Sequence, residues 1–403
     1  MESTPGGEVR RRRDRQTADI RAAYRARGYE LALPEDVSRL GRTELHRVSG
    51  QVVGLLAQVY GRAPETLADE ARRLADAVGD GRVRLLVLLD DRGAVTATTR
   101  FTRIEPLFPG AEGGRHEVGR TGKRPGAEPR LAAGLLRARL LWAVDHLGRA
   151  GHVVSHTRVA RAAPGRPPVG PLLAGLLAQD GCVPTHAGYS HIVARTAAEP
   201  FVSTCLPLDR AAWRTAVRAQ RIRLPDHPAQ RLFGAMLAET CGVEPRYAPA
   251  PEPPAGAPLL TGHLRELAAA DPAVESRYLL SRRPALTGRP VDAVPYVVGP
   301  DGTHRSTGLS DRIVVEQDIV DGGGALPAIE YLRRQGFEPA GWEPSHQHHA
   351  RAALVLTRPG TLPAPEVSVA APDLSSLAGL PATQRFLAHV LARRPAAAVT
   401  ARG

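Results

Sequence analysis

The sequence predicts an α/β fold of the α+β kind, built twice along the chain. Three observations carry this. First, two stretches echo each other, with Gly181 and Gly336 at the same place 155 positions apart. One reads Leu176-Leu177-Ala178-Gln179-Asp180-Gly181-Cys182-Val183-Pro184 and is followed by Ser190-His191. The other reads Leu332-Arg333-Arg334-Gln335-Gly336-Phe337-Glu338-Pro339, with Ser345-His346 at the same offset. Each is a helical stretch, a stop glycine, a Gly-x-x-Pro entry into a strand and then a hairpin, so the chain poses one smaller question twice. Second, strand runs joined by short turns alternate with 3.6-period helices. Third, a Pro-rich stretch, 248–258, separates the halves.

The elements follow in order. Residues 1–17 carry Arg10-Arg11-Arg12-Arg13 and read as a disordered basic arm. No apolar segment follows it, so it is not a secretory signal. Val37, Leu40, Leu45, Val48, Val52, Leu55, Leu56 and Val59 recur every three or four positions and define an amphipathic helical region. A second helix covers Glu65–Val78 and stops at Gly79. Leu85-Leu86-Val87-Leu88-Leu89 is a buried strand, Asp91-Arg92-Gly93 a turn, and Ala94–Phe101 the returning strand. His116–Thr121 is a short polar strand, followed by a Gly/Pro/Lys/Arg loop from Gly122 to Pro129. A strong helix then runs from Arg130 to Leu147. His152–Val159 is a strand, and the first echo adds a helix and hairpin strands at Val183–Tyr189 and His191–Arg195. In the second half a helix at Leu259–Ala269 and strands at Ala293–Val298 and Arg312–Asp318 precede the second echo. The last strand is Ala352–Thr357. After Gly360 comes a tail with a helical piece near Gln384–Arg393.

Composition bounds the function. A chain that is 43% apolar buries real cores, yet aromatics are only 4%, so Leu, Val and Ala must build them. The formal net charge of +12 favours anionic partners: nucleotides, phosphopantetheine groups, acidic carrier proteins or RNA. Cys182, Cys205 and Cys241 are odd in number and lack metal-ligand spacing, which reads as reduced thiols in a cytoplasmic protein. No apolar run of roughly 18 residues is present, so no membrane span is expected. His346, His348 and His349 have no accompanying carboxylate or thiol cluster, so they read as a polar turn and no metal is expected. Gly322-Gly323-Gly324 reads as a helix entry.

The unit with most chemical promise runs from His116 to Leu147. A loop feeding a helix start aims backbone N–H groups at one spot, and the helix dipole adds positive potential. Lys123, Arg124 and Arg130 add fixed charge. Such a place suits a pyrophosphate. The competing reading is an ordinary strand-to-helix connection with solvated arginines.

A strand hairpin, a further strand, a basic loop and long helix, a strand, a helix and a closing hairpin together resemble the GNAT (general N-acetyltransferase) superfamily over residues 37–195. Residues 312–357, and Ala328-Ile329-Glu330-Tyr331-Leu332-Arg333-Arg334-Gln335-Gly336-Phe337 above all, resemble the latter half of another such domain. The resemblance implies two GNAT-like domains in tandem, each a mixed, mostly antiparallel sheet flanked by helices, with the second copy degenerate. The implied boundaries are 18–200 for the catalytic domain, 201–247 for a connecting helical segment, 259–361 for the degenerate domain and 362–403 for the tail. The family's phosphate loop has a Gln/Arg-x-x-Gly-x-Gly/Ala pattern. Here Ala127-Glu128-Pro129-Arg130-Leu131-Ala132 stands there; Ala132 fits, while Arg130 replaces the glycine and Ala127 the polar residue. A side chain at that glycine position crowds the approach of backbone to phosphate, whereas a guanidinium offers its own contact.

The resemblance further implies an amine attacking a thioester, from coenzyme A or from the phosphopantetheine of an acidic carrier protein. Glu117 is the first candidate base and His156 on the neighbouring strand the second. Tyr189 is the candidate acid, because Leu177 stands where many members carry a tyrosine. The donor-binding candidates are Arg120, Thr121, Gly122, Lys123, Arg124, Gly126, Arg130, Leu131 and Ala132, with backbone N–H groups from Arg120 to Gly122 as oxyanion donors. The acceptor is a small-molecule amine, and the tandem form points to natural-product pathways such as antibiotic biosynthesis. Two alternatives stand beside this: an acyltransferase drawing on aminoacyl-tRNA, whose binding would fall steeply with salt, and a non-catalytic module that binds an acyl metabolite.

Overall fold

A computed structural model of the 403-residue chain gives the fold. It describes residues 5–60, 67–104, 115–147, 151–161, 170–178, 181–192, 197–249, 276–281, 293–298, 306–308, 310–315, 325–334, 336–344, 352–362 and 365–397. The chain forms two compact units, residues 1–103 with 116–149, and residues 104–115 with 150–403. The division falls inside the stretch 18–200 that the sequence reads as one domain. The Pro-rich segment is described only to Pro249. The predicted helix at 259–269, the glycines at 322–324 and the histidines at 346–349 lie outside the described residues.

The first unit contains α1 (Pro5–Arg25), β1 (Glu30–Ala32), α2 (Pro34–Ser38), α3 (Arg42–Tyr60), α4 (Leu67–Gly79), β2 (Val83–Leu89), β3 (Val95–Ile104), β4 (Arg115–Lys123) and α5 (Pro129–His146). Its strands lie in the order β1-β2-β3-β4. The β2 run is buried on both faces because helices cover both. Val83, Leu85 and Val87 join Val52, Val53 and Leu56 of α3 and Leu74 and Val78 of α4 in one core. Leu86 and Leu88 point the other way, on the face of Phe101, whose ring lies 5.3 Å from Trp142 of α5. The β2–β3 turn is set by Asp90, whose carboxylate accepts from the Arg92 and Ala94 amides at 3.1 and 2.8 Å, while Gly93 takes φ +73.

From Pro5 on, the stretch 1–17 that the sequence reads as a disordered arm is part of helix α1. Tertiary contact holds it. Arg13 pairs with Asp145 of α5 at 2.7 Å, and the Tyr24 hydroxyl donates to the Leu131 carbonyl at 2.5 Å. Gly134 makes room, since a Cβ there would lie 2.4 Å from the Tyr24 oxygen. A charge run on a helix with little apolar face gives no such signal in sequence.

The second unit contains β5 (His152–Arg158), α6 (Gly170–Ala178), β6 (Val183–Ile192), β7 (Ala197–Pro207), α7 (Arg210–Arg218), β8 (Arg223–Pro225), α8 (Pro228–Cys241), β9 (Arg246–Ala248), β10 (Ser276–Ser281), β11 (Ala293–Val298), β12 (Ser306–Gly308), β13 (Ser310–Val315), α9 (Ala325–Arg334), β14 (Glu338–Pro344), β15 (Ala352–Pro359), β16 (Ser368–Val369) and α10 (Pro381–Ala392). Its main sheet is mixed and mostly antiparallel, in the order β5-β7-β6-β14-β15-β13-β10-β11. Only β10–β13 and β16–β7 are parallel among its described pairs. β8 and β9 form a separate parallel pair.

The two sequence echoes occupy matching places. β5-α6-β6-β7 and β13-α9-β14-β15 have the same element order, and in each the last strand lies between the first two. Gly181 and Gly336 end the two echo helices at φ +61 and +84, and the next amide returns to a carbonyl of the helix at 3.0 Å in both. β6 and β14 then meet antiparallel at His186 and Gly341. Gly341 is at φ +143, and a Cβ there would fall 2.1 Å from the Thr185 carbonyl oxygen and 2.5 Å from the His186 Cα. Only glycine fits.

Two further readings change. The first hairpin strand runs to Ile192 and its partner is Ala197–Pro207 rather than His191–Arg195. The tail is core: Phe386, Leu387, Val390 and Leu391 of α10 are buried in the second unit's cluster, with Trp342, Trp213 and Phe233. Glu239 of α8 caps α10 by accepting from the Thr383 amide and hydroxyl at 2.7 and 2.6 Å.

Gly341→Ala is expected to cost about 3 kcal/mol, from backbone strain and a clash that no rotamer relieves. Urea unfolding followed by tryptophan fluorescence reads it, because Trp342 and Trp213 stack with centroids 5.5 Å apart in this unit. Gly175→Ala, in a helix with open space around the position, should not destabilise.

Candidate functional site

In the first unit, β4 delivers the chain to α5 through Arg124–Glu128. The Arg124 amide donates to the Thr96 carbonyl at 2.7 Å, and the Ala127 amide closes a turn onto the Arg124 carbonyl at 3.0 Å. Gly126 takes φ +80 within that turn and has open space around it. Pro129 opens α5, and the Glu128 side chain makes no cap bond; it reaches Arg27 instead, at 3.2 Å. A proline start and an uncapped first turn leave the helix's positive end to solvent or to a ligand.

The predicted donor-binding residues divide by what they touch. The Lys123 ammonium donates to the Ala127 carbonyl at 2.7 Å, and Arg124 donates to the Val95 carbonyl at 3.1 Å and meets Asp90 at 3.4 Å. Both charges brace the loop. The Thr121 hydroxyl lies 2.9 Å from that of Thr99, and Arg139 of α5 donates to both at 3.3 and 3.1 Å. Arg139 is buried, a costly place for a guanidinium without such partners, and it fastens α5 across β3 and β4. Gly122 admits α3, since a Cβ there would lie 3.0 Å from Leu56. Leu131 is fully buried and receives Tyr24. Burial pushes the Tyr24 phenol up to about 12. The side chains of Arg120, Arg130 and Ala132 lie outside the described residues.

Glu117 and His116 are neighbours on β4 and so face opposite sides of the sheet. His116 is buried, and Glu117 is half-buried with its Oε1 3.8 Å from the place a Gly119 Cβ would take. Desolvation first, then Arg103 and Arg84, lower the His116 imidazole to about 4, so it is neutral near pH 7.

In the second unit, His156 of β5 stands opposite Ser203 of β7, and Ser203 stands opposite His186 of β6. The His156 Nδ1 lies 2.5 Å from the Ser203 Oγ, which lies 3.0 Å from the His186 Nε2. His186 Nδ1 is 3.3 Å from the Thr185 hydroxyl. Phe201 sets its ring edgewise to both imidazoles, 5.3 and 6.0 Å away between centroids. His156 is exposed; Ser203 and His186 are buried.

Tyr189 does not join this row. It lies three residues beyond His186 on the same strand, hence on the opposite face. Its hydroxyl donates to the Leu391 carbonyl of α10 at 2.6 Å, and burial raises its pKa while Arg394 opposes the rise. The structure therefore places the Tyr189 hydroxyl as a pin between β6 and α10. Ser203 and His186 were missed in sequence. An alternate-position histidine on the echo hairpin was the one available signal, and a strand serine carries none. Among the described residues no group of three or more His, Cys, Asp or Glu is placed to hold a metal, and no helix is long and apolar enough to cross a membrane.

No protein-family model matches the chain, and no curated protein matches it. Solved structures match in part. A probable N-acyltransferase of unknown function from Enterococcus faecalis V583 aligns at 11% identity and TM-score 0.27 over 41% of this chain and 35% of its own. This chain thus spans about a third of that protein's length. A ribosomal-protein-S5-alanine acetyltransferase from Vibrio fischeri aligns at 11% identity and TM-score 0.32 over 45% of this chain and 94% of its own. FeeM, an N-acyl amino acid synthase from uncultured soil microbes, aligns at 13% and 0.30 over 46% and 93%. Each likeness covers less than half of this chain.

His116 makes stability depend on pH. Its folded value lies below its ordinary 6.5, so its contribution is complete above about pH 6.5 and is lost as pH falls from there toward 4. Urea titrations across that window should show the first unit weakening, and His116→Gln should flatten the slope. Tyr189→Phe should lower the second unit's stability by about 1 kcal/mol, one hydrogen bond's worth.

Proposed function

We propose that the chain is an N-acyltransferase of GNAT type, with two such units in tandem and the second degenerate. It takes an acyl group from a thioester, coenzyme A or the phosphopantetheine of a carrier protein, and passes it to the amine of a small molecule. The observation that carries this is the join between β4 and α5: a strand, a left-handed turn at Gly126 and a helix start without a side-chain cap. Those first-turn amides suit the phosphates of the donor. The matching β5-α6-β6-β7 and β13-α9-β14-β15 arrangements support the tandem reading.

The chemistry needs a base, a held oxyanion and a protonated leaving group. Glu117, on β4 with the oxyanion donors, takes the proton of the attacking amine, and His156 is the candidate base of the second unit. The nitrogen lone pair forms the C–N bond, the carbonyl oxygen carries the negative charge on backbone N–H groups of β4 near Arg120–Gly122, and the C–S bond breaks. The thiolate takes a proton, which the protonated base supplies; Tyr189 is not needed for it. The net charge of +12 favours an acidic carrier protein as the docking partner.

The test is discharge of a panel of acyl-coenzyme A and acyl-carrier thioesters in the presence of amines. Wild-type protein should release free thiol only with an amine present. Glu117→Gln and His156→Gln should each be tried, and loss of the acting base should lower kcat about 10²-fold or more. Failure with every thioester sinks the acyltransferase reading and favours a binding module. Activity that depends on aminoacyl-tRNA and is abolished by RNase would replace the donor.

A further inference from the structure

We infer that helix α7 and the β8–β9 pair of the second unit present an arginine face that holds the phosphate backbone of a base-paired RNA. The choice of RNA among polyanions rests on the acyltransferase reading, which has a use for an RNA-borne acyl group. The face itself rests on geometry and charge within the second unit.

Residues 210–225 hold five arginines, Arg210, Arg214, Arg218, Arg221 and Arg223, and neither aspartate nor glutamate. Arg210, Arg214 and Arg218 recur every fourth residue of α7, so they share one side of the helix. All three are exposed, while Trp213 and Val217 on the other side are buried. Trp213 stacks on Trp342 of β14, which pins the helix from beneath.

The face continues past the helix. Arg218 lies over the turn that ends α8: a Cβ at Gly242, φ +68, would fall 3.0 Å from its Nε. Four residues on, the Arg246 amide donates to the Ile222 carbonyl at 2.9 Å. Arg246 stands opposite Arg223 in the parallel β8–β9 pair. Arg221, Arg223 and Arg246 are exposed, while Ile222 and Leu224 alternate inward and are buried.

Arg214, Arg218, Arg221 and Arg246 have no ion-pair partner among the described residues. Exposed arginines elsewhere do: Arg47 with Glu44, Arg82 with Asp80 and Arg231 with Asp226. Of the nearby acids, Glu239 caps α10 and Glu244 is exposed. A run of unpaired guanidiniums attracts a polyanion.

The residues between the arginines narrow the occupant. They are Ala211, Ala212, Thr215 and Ala219 on the exposed side. A protein partner is gripped largely through aromatic anchors, and a single strand through exposed rings on which its bases stack. Among the described residues of this stretch neither is offered. Trp213 is buried, and the Arg231 guanidinium covers the Tyr247 ring, 5.1 Å from its centroid. Guanidiniums without such anchors suit the phosphate oxygens of a duplex, which they contact without reading sequence.

The test is binding of deacylated, unfractionated tRNA to the full-length protein, read by electrophoretic shift across a salt series. Wild type should bind with Kd on the order of 10⁻⁵ M at physiological salt. At about 0.1 M salt each phosphate contact contributes about eightfold. Arg214→Gln with Arg246→Gln should therefore weaken binding about 60-fold and flatten the slope of log K against log salt by about 2. Arg214→Lys with Arg246→Lys, which keeps both charges, should retain most of the affinity. Arg47→Gln with Arg82→Gln removes the same charge from the first unit and should leave binding unchanged. An equal loss in that control pair, or no tRNA binding at low salt, overturns the face. So does binding of an acidic acyl carrier protein to these arginines in place of tRNA. Binding of tRNA without acyl transfer from any donor keeps the face and removes the acyltransferase reading; acyl transfer without tRNA binding does the reverse.

Discussion

The close approach of β14 to β6 is the constraint on which the second unit turns. Gly341 opposes His186 with no room for a single methyl group between them. At that seam the two echo hairpins become one continuous sheet, each entered from its own echo helix, α6 or α9. The seam also presses on the backbone of His186, which holds Ser203, which holds His156. The missing Cβ on β14 thus bears, through β6 and β7, on an exposed imidazole three strands away.

The first unit solves a different problem. A helix that offers its positive end must be held by its other face. Arg139 fastens α5 to Thr99 and Thr121, Trp142 packs on Phe101, and Tyr24 enters at Gly134 to reach the Leu131 carbonyl. The loop that precedes the helix is braced by its own cations, Lys123 on Ala127 and Arg124 on Val95. Side chains that look in sequence like ligands for an anion here carry the geometry that presents backbone amides.

Much of the fold was legible. The β2–β3 hairpin, α4, α5 and both echo units were marked by periodicity and by turn glycines, which are local signals. His156 was legible as a titratable residue on a strand. The partners of His156 were not, because Ser203 lies 47 residues away and meets it only through strand register. The partner of Tyr189 was hidden for the same reason: parity on β6 and the arrival of α10 fix its hydroxyl on the Leu391 carbonyl. The helix from Pro5 on was not legible because α1 is held by contacts at Asp145 and Gly134 of another helix, not by its own apolar stripe.

By itself the sequence determined an α+β chain with a repeated strand–helix–hairpin unit, and it marked β4 to α5 as a strand, basic loop and helix start. These are set by patterns that act over a few residues. Only the tertiary structure decided which strands became neighbours, and therefore which side chains share a face. Hydrogen bonds between strands reach a few ångströms in space but span tens or hundreds of positions in the chain, so no local pattern encodes them.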